Sequence, residues 1–350
     1  MTRNTLLNIF KISATYAGTI MGAGFASGQE LTQFFVVYGN MGLAGLLVTS
    51  CLFSWLGITI LEISSKLKAT SYHQLLYYVC GKRLGPLLDF IITISLFGVL
   101  TIMLAAAGTL CQTVLHLPYA LGLSIMGGCL LITTCYGMQG ITTANLMITP
   151  LLTLTILVIG CYSLAYHDFN LPIPPPQVTH LPAPHWLLAS LLYLSYNLVM
   201  STAVLVPLSS SITKPAERIW GSIGGGFLLM ILAGLIIFVV MIHYPQSLEY
   251  EIPMLHIASS QHYLNHTSYL FIFVAAMYTT GLASLYGSAT KLTAVSKLST
   301  KSSLFFLLSL SLLCSYIGFA DLIAIIFPVF GYGTLWFTGR LLYLSFLAKY

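Results

Sequence analysis

The sequence predicts an all-α membrane protein of ten transmembrane helices, folded as two five-helix halves of opposite orientation. Three observations predict this. The chain is 57% hydrophobic and only 6% charged, against about 25% charged residues in soluble domains. Its apolar stretches are long enough to span a bilayer, which takes about 20 residues each. When those stretches are numbered, all thirteen Lys and Arg residues fall on one side.

The first span, about residues 8–37, is the one around which the rest is organised. Midway along it lies Gly22-Ala23-Gly24-Phe25-Ala26-Ser27-Gly28-Gln29-Glu30. Each glycine weakens a helix by roughly 1 kcal/mol relative to alanine, and freed backbone groups in hydrocarbon are tolerated only where they line a cavity. The stretch therefore reads as a broken helix whose backbone binds something small at mid-membrane. Close packing through small residues would explain Gly22, Ala23 and Gly24, but not Gln29 and Glu30.

The second span covers about 41–65, and a polar, interfacial piece follows from Ala69 to Lys82. Spans three to five cover about 84–115, 118–136 and 140–166. Asp168 to Pro184 holds six prolines and is the longest expected loop. Span six covers about 185–211 and span seven about 216–244. Pro245 to His266 contains a short surface helix, Ile252 to Gln261, and spans eight to ten cover about 267–290, 303–318 and 321–345.

With the N-terminus inside, no basic residue lies in the loops after spans one, three, five, seven or nine. The positive-inside rule then places both termini in the cytoplasm of a multi-pass protein of the cell membrane. An even count with an odd number per half makes the halves inverted repeats, about 8–166 and 185–345, within one transmembrane domain spanning 1–350. Span six then corresponds to span one, and is expected to be broken too. Its Ser195, Tyr196 and Asn197, followed by Ser201, Thr202 and Pro207, supply the polar, breakable partner. Spans five and ten each carry a central proline, Pro150 and Pro328.

Three constellations could carry chemistry. Open N–H groups around Ala23, Gly24 and Phe25, aided by a half-helix dipole, suit an anion such as a carboxylate. Thr279 and Thr280 place adjacent hydroxyls midway along span eight. With backbone carbonyls at the first-span break, those of Thr19 and Gly22, they form a candidate sodium site; the plainer alternative is that they bond back to their own helix. Glu30 could carry a coupled proton, gate a vestibule or attract a cationic solute. Asp321, opening span ten on the same outer side, could join it in an acidic mouth. Asp89 reads as a complement to the dipole of span three.

No H-E-x-x-H, P-loop or equipped nucleophile elbow occurs, so an enzyme lacks its parts. The scattered basic residues do not suit nucleic acid, no resident cofactor is expected, and the seven cysteines have no metal or redox spacing. The expected partners are the bilayer and a small solute; the oligomeric state is left open.

Gly22-Ala-Gly-Phe-Ala-Ser-Gly-Gln-Glu30, Tyr196-Asn197 with Val204-Leu-Val-Pro207, and Phe327-Pro-Val-Phe-Gly-Tyr332 together resemble the YkvI-type membrane proteins of the amino acid–polyamine–organocation superfamily. The resemblance implies the LeuT-like fold, with helices 1 and 6 unwound at the substrate site. It implies that Gly22, Ala23 and Gly24 meet an amino-acid carboxylate and that Thr279 and Thr280 are the hydroxyls sodium-coupled relatives use. Gln29 and Glu30 are a departure from the amino-acid transporters in general. The expected function is secondary active transport of a small amino-acid-like solute, coupled to sodium or protons. The alternative is a ligand-sensing receptor on the same fold, without net transport.

Overall fold

The computed structural model describes residues 3–136, 141–166, 181–210, 212, 214–261, 263–296 and 298–347. Most of the proline-rich loop expected over 168–184 lies outside them. The described residues form thirteen α-helices and no strand.

The first apolar segment is divided among α1 (Arg3–Ile20), α2 (Ala23–Ser27) and α3 (Gln29–Phe34). Long helices follow: α4 (Asn40–Leu67), α5 (Tyr72–Thr113), α6 (Tyr119–Tyr136) and α7 (Ile141–Tyr166). Then come α8 (Trp186–Ser209), α9 (Pro215–Ile242), the short α10 (Pro253–Gln261), α11 (Tyr263–Val295), α12 (Thr300–Cys314) and α13 (Phe319–Leu347). Among the described residues seven helices are long and apolar enough to cross a membrane, and two shorter apolar ones, Tyr119–Thr134 and Pro150–Tyr166, accompany them. This is a membrane protein. The polar piece after α4 is the start of α5, and Gly81, at φ 76°, sets it off from the rest of that helix.

One expectation fails. Helix α8 is continuous through Ser195, Tyr196 and Asn197, where a break was expected. Its polar side chains are satisfied by its own carbonyls: Ser195 donates to Leu191 O (2.6 Å), Asn197 Nδ2 to Tyr193 O (3.1 Å) and Ser201 to Asn197 O (2.7 Å). Pro207 sits in the last turn, so the helix ends within two residues of it.

Helices α1, α4, α8 and α9 pack on one another as a bundle, and α5 gathers α6, α11 and α13 around it. Close approach in the bundle comes from small residues. A Cβ on Gly221 would lie 2.6 Å from Ile12, and one on Gly225 2.8 Å from Tyr16. Tyr16 then donates to the Phe53 carbonyl at 2.9 Å, tying α1 to α4. Helix α13 packs on both α5 and α8, so it bridges the two groups.

Candidate functional site

The site is built from the turn between α1 and α2. Met21 and Gly22 are not helical. The Gly22 N–H bonds to Ile20 O at 2.9 Å, and Ala26 N–H returns to Gly22 O at 3.0 Å. The N–H groups of Ala23, Gly24 and Phe25 are thus those that a helix start leaves without an intrahelical acceptor. Five residues later Gly28 adopts φ 79° and turns the chain into α3. A left-handed residue costs roughly 1–2 kcal/mol for anything but glycine. Ser27 donates to Gly24 O (2.7 Å) and accepts from Gln29 N–H (3.1 Å), and the Tyr269 hydroxyl of α11 donates to Ala26 O. The break is held from both sides by polar contacts.

Glu30, in the first turn of α3, points back over this turn. It is 4% exposed. The Tyr196 hydroxyl of α8 donates to Oε1, and the Asn197 side chain also interacts with the carboxylate. Oε2 lies only 2.6 Å from where a Cβ on Gly24 would stand, with Phe327 Cε2 at 3.3 Å from the same point. Glycine at 24 is what lets the carboxylate lie against the backbone. Phe327 of α13 stacks on Tyr196 with ring centroids 5.0 Å apart and planes 2° apart, and Phe34 packs on the same tyrosine. The first-span signature and the polar triplet of the sixth helix therefore meet, through a residue pair that no spacing rule connects.

On the other side of the turn lies a cavity of about 400 Å³. Thr19, Met21, Gly22, Thr279 and Thr280 wall its inner part; Met200, Ala203 and Val204 make one side apolar. It extends toward Tyr72, Thr290 and Lys291, the end of the molecule that carries the lysines. Ala23, Gly24, Phe25, Tyr196 and Glu30 are buried and do not line it.

Thr280 Oγ1 is 3.8 Å from where a Gly22 Cβ would be, so this eighth-span hydroxyl faces the first-span break. Thr279 Oγ1 donates to Ala275 O and Ala276 O at 3.1 and 3.2 Å, which is the plainer alternative realised. A hydroxyl that donates still presents lone pairs, and Thr279, Thr280 and Gly22 line the same cavity. Thr19 bonds through its hydroxyl to Tyr16 O (2.7 Å) and Ser201 Oγ (3.3 Å), linking α1 to α8.

Asp321 is not brought to Glu30. It is exposed in the first turn of α13, six residues before Phe327, or about 9 Å of helix. The acid engaged near that helix start is Glu251: its Oε2 accepts from Phe319 N–H (3.2 Å) and Thr109 Oγ1 (2.8 Å). Ser195 is fully buried and bonded to its own helix. Asp89 is also not a lone dipole partner: Lys291 of α11 reaches both its oxygens at 2.7 and 2.9 Å, with the Tyr72 hydroxyl at 3.1 Å and His73 Nδ1 at 3.3 Å. That network lies at the lysine-bearing rim of the cavity. Asp89 and Lys291 are 202 positions apart, so only their shared side of the membrane could have suggested it.

No protein-family model matches the chain. It is 29% identical over 335 residues to the uncharacterized membrane protein YkvI of Bacillus subtilis (strain 168), across 95% of this chain and 94% of that protein. It is 27% identical over 346 residues to the uncharacterized protein YyaD of the same organism, across 95% and 96%. The YkvI-type resemblance holds along essentially the whole chain. Among solved structures, the inward-facing conformation of Mhp1 superposes with a TM-score of 0.62 at 14% identity, over 90% of this chain and 75% of that one. MhsT in complex with L-phenylalanine gives 0.64 at 14% identity, over 100% and 99%. A Na⁺-coupled sialic acid symporter gives 0.57 at 13%, over 91% and 72%. The chain has the LeuT-like fold of these proteins.

Proposed function

We propose that the protein is a secondary active transporter of a small amino-acid-like solute, coupled to sodium or protons. It works by alternating access around a midplane site between α1–α3, α5, α8 and α11, in a ten-span, five-plus-five inverted arrangement. Both termini lie in the cytoplasm and the protein resides in the cell membrane. The observation that carries this reading is the position of the cavity. Its lining reaches from Lys291 at the lysine-bearing end to Gly22, while Glu30, Tyr196 and Phe327, outside that lining, are held together by buried contacts. A solute reaching Gly22 is open to one side and sealed from the other, which is one half of an alternating-access cycle.

The lysine-bearing side is the cytoplasmic one by the distribution of basic loops, so the conformation is open inward. A cation held by Thr279, Thr280 and the carbonyls beside Gly22 would brace α11 against the broken α1, the contact a change of access has to alter. The fold likeness to symporters supports transport over catalysis.

The test is a thermal-shift screen of the purified, detergent-solubilised protein against amino acids, amines and small organic acids, each with and without sodium. A ligand bound to the folded state raises the melting temperature by mass action. A solute that stabilises only with sodium supports the cation site. A solute that stabilises equally without it moves the coupling to protons. Absence of any stabilising solute contradicts the midplane binding site.

A further inference from the structure

The N–H groups of Ala23 to Phe25 were expected to receive a solute's carboxylate. The protein's own Glu30 carboxylate lies against the same turn, beside Gly24. Glu30 Oε2 sits 2.6 Å from the Cβ position of Gly24, and Oε1 is gripped by Tyr196. Among the described residues no Lys, Arg or His pairs with Glu30; the ion pairs are His73–Asp89, Lys214–Glu217 and Lys291–Asp89. Its partners are neutral donors, the Tyr196 hydroxyl and the Asn197 side chain. A buried carboxylate normally has a cation beside it, and here the described residues supply none.

We propose that the missing cation is the solute's own ammonium group, and that the solute is a small amine with an apolar tail and no carboxylate. This rests on the reading of the α1–α2 turn as the solute site and narrows its chemical class. A second carboxylate brought to Ala23–Phe25 would share the site with Glu30, and two carboxylates at one site cannot both stay ionised. An amine meets no such conflict. Its N–H groups can donate to Glu30. The cavity agrees: Met200, Ala203 and Val204 offer an apolar wall for a tail. Its inner end at Gly22 is two residues from Gly24, at most about 7.6 Å between Cα atoms. A head group at Glu30, reached once its contact with Tyr196 opens, and a tail in the cavity are thus within the span of one small molecule.

The experiment compares pairs that differ only by the carboxylate: phenethylamine with phenylalanine, and 3-methylbutylamine with leucine. Binding to the full-length protein in detergent is measured by calorimetry. Each amine is expected to bind at least about tenfold tighter than its parent amino acid. Glu30→Gln is expected to abolish that preference and Glu30→Asp to retain it. Parent amino acids binding as tightly as their amines, an unchanged preference in a folded Glu30→Gln protein, or no binding of either amine at millimolar concentration would overturn the proposal. The wild-type comparison needs no variant, so it decides even if Glu30→Gln does not fold. Uptake into proteoliposomes separates this proposal from the one it rests on. Amines that bind but are not carried sink transport and uphold the amine assignment; amino acids that are bound in preference and carried do the reverse.

Discussion

The Tyr196 hydroxyl of α8 donates to the Glu30 carboxylate of α3, 166 residues away, and this contact closes the far side of the α1–α2 turn. It joins the two helices expected to shape the solute site, although only one of them is interrupted. Because Glu30 also lies against Gly24, backbone turn, carboxylate and aromatic stack form one unit, and each part can be disturbed separately.

Gly24→Val would place methyl groups where Glu30 Oε2 and Phe327 now lie, 2.6 and 3.3 Å from the new Cβ. Loss of solute binding is expected from a protein that still elutes as a single species on size exclusion. Gly128→Val, at a position with nothing within 4 Å, is the control, and its stability should stay within about 0.5 kcal/mol of wild type. Solute affinity unchanged in Gly24→Val would remove this turn from the site.

Thr279→Ala with Thr280→Ala removes two hydroxyls from the lining of the cavity beside the α1–α2 turn. Any stimulation of solute binding by sodium is expected to disappear. The lost back-bonds of Thr279 cost about 1 kcal/mol in stability, which a melting curve without sodium reads separately. Sodium stimulation that survives the double change rules these threonines out as ligands.

Much of the helical layout was legible, and the reasons are physical. Apolar runs must match the bilayer, so the expected second span at 41–65 became Asn40–Leu67 and the expected surface helix at 252–261 became Pro253–Gln261. Glycines that weaken a helix also marked the turn at Gly22 and the positive φ at Gly28. What misled was the sixth span. Hydroxyls and amides there bond to the carbonyl one turn back, so a polar helix centre does not require a break. What could not be read was long-range pairing. Phe327 stood out only as part of the tenth-span motif, and Asp89 as a dipole complement, because their partners Tyr196 and Lys291 are distant in sequence.

Lys291→Met leaves Asp89 without its ammonium partner at the rim of the cavity. Removing one member of a fully buried pair costs about 3–5 kcal/mol. These side chains are 20% and 25% exposed, so a smaller loss, about 2 kcal/mol, is expected. The check is chemical unfolding of Lys291→Met beside the charge-swapped double variant Asp89→Lys, Lys291→Asp, which should recover part of the loss. A Lys291→Met protein as stable as wild type would show the pair to be dispensable.

Gly28→Ala forces a side chain into φ 79° and against Met254 Cγ, 3.0 Å from the new Cβ. A loss of roughly 1–2 kcal/mol is expected from the backbone alone. Gly339→Ala, with open space around its Cβ, should be close to neutral on the same melting curve. Equal melting temperatures for the two variants would mean that the α2–α3 turn bears no conformational strain on substitution.

The most direct test of transport is uptake of the best-stabilising solute into proteoliposomes under an imposed sodium or proton gradient. Alternating access predicts accumulation above the external concentration with one of the two gradients, and collapse of that accumulation when an ionophore dissipates it. Tight binding with no accumulation under either gradient would contradict transport and leave a ligand-sensing receptor on the same fold.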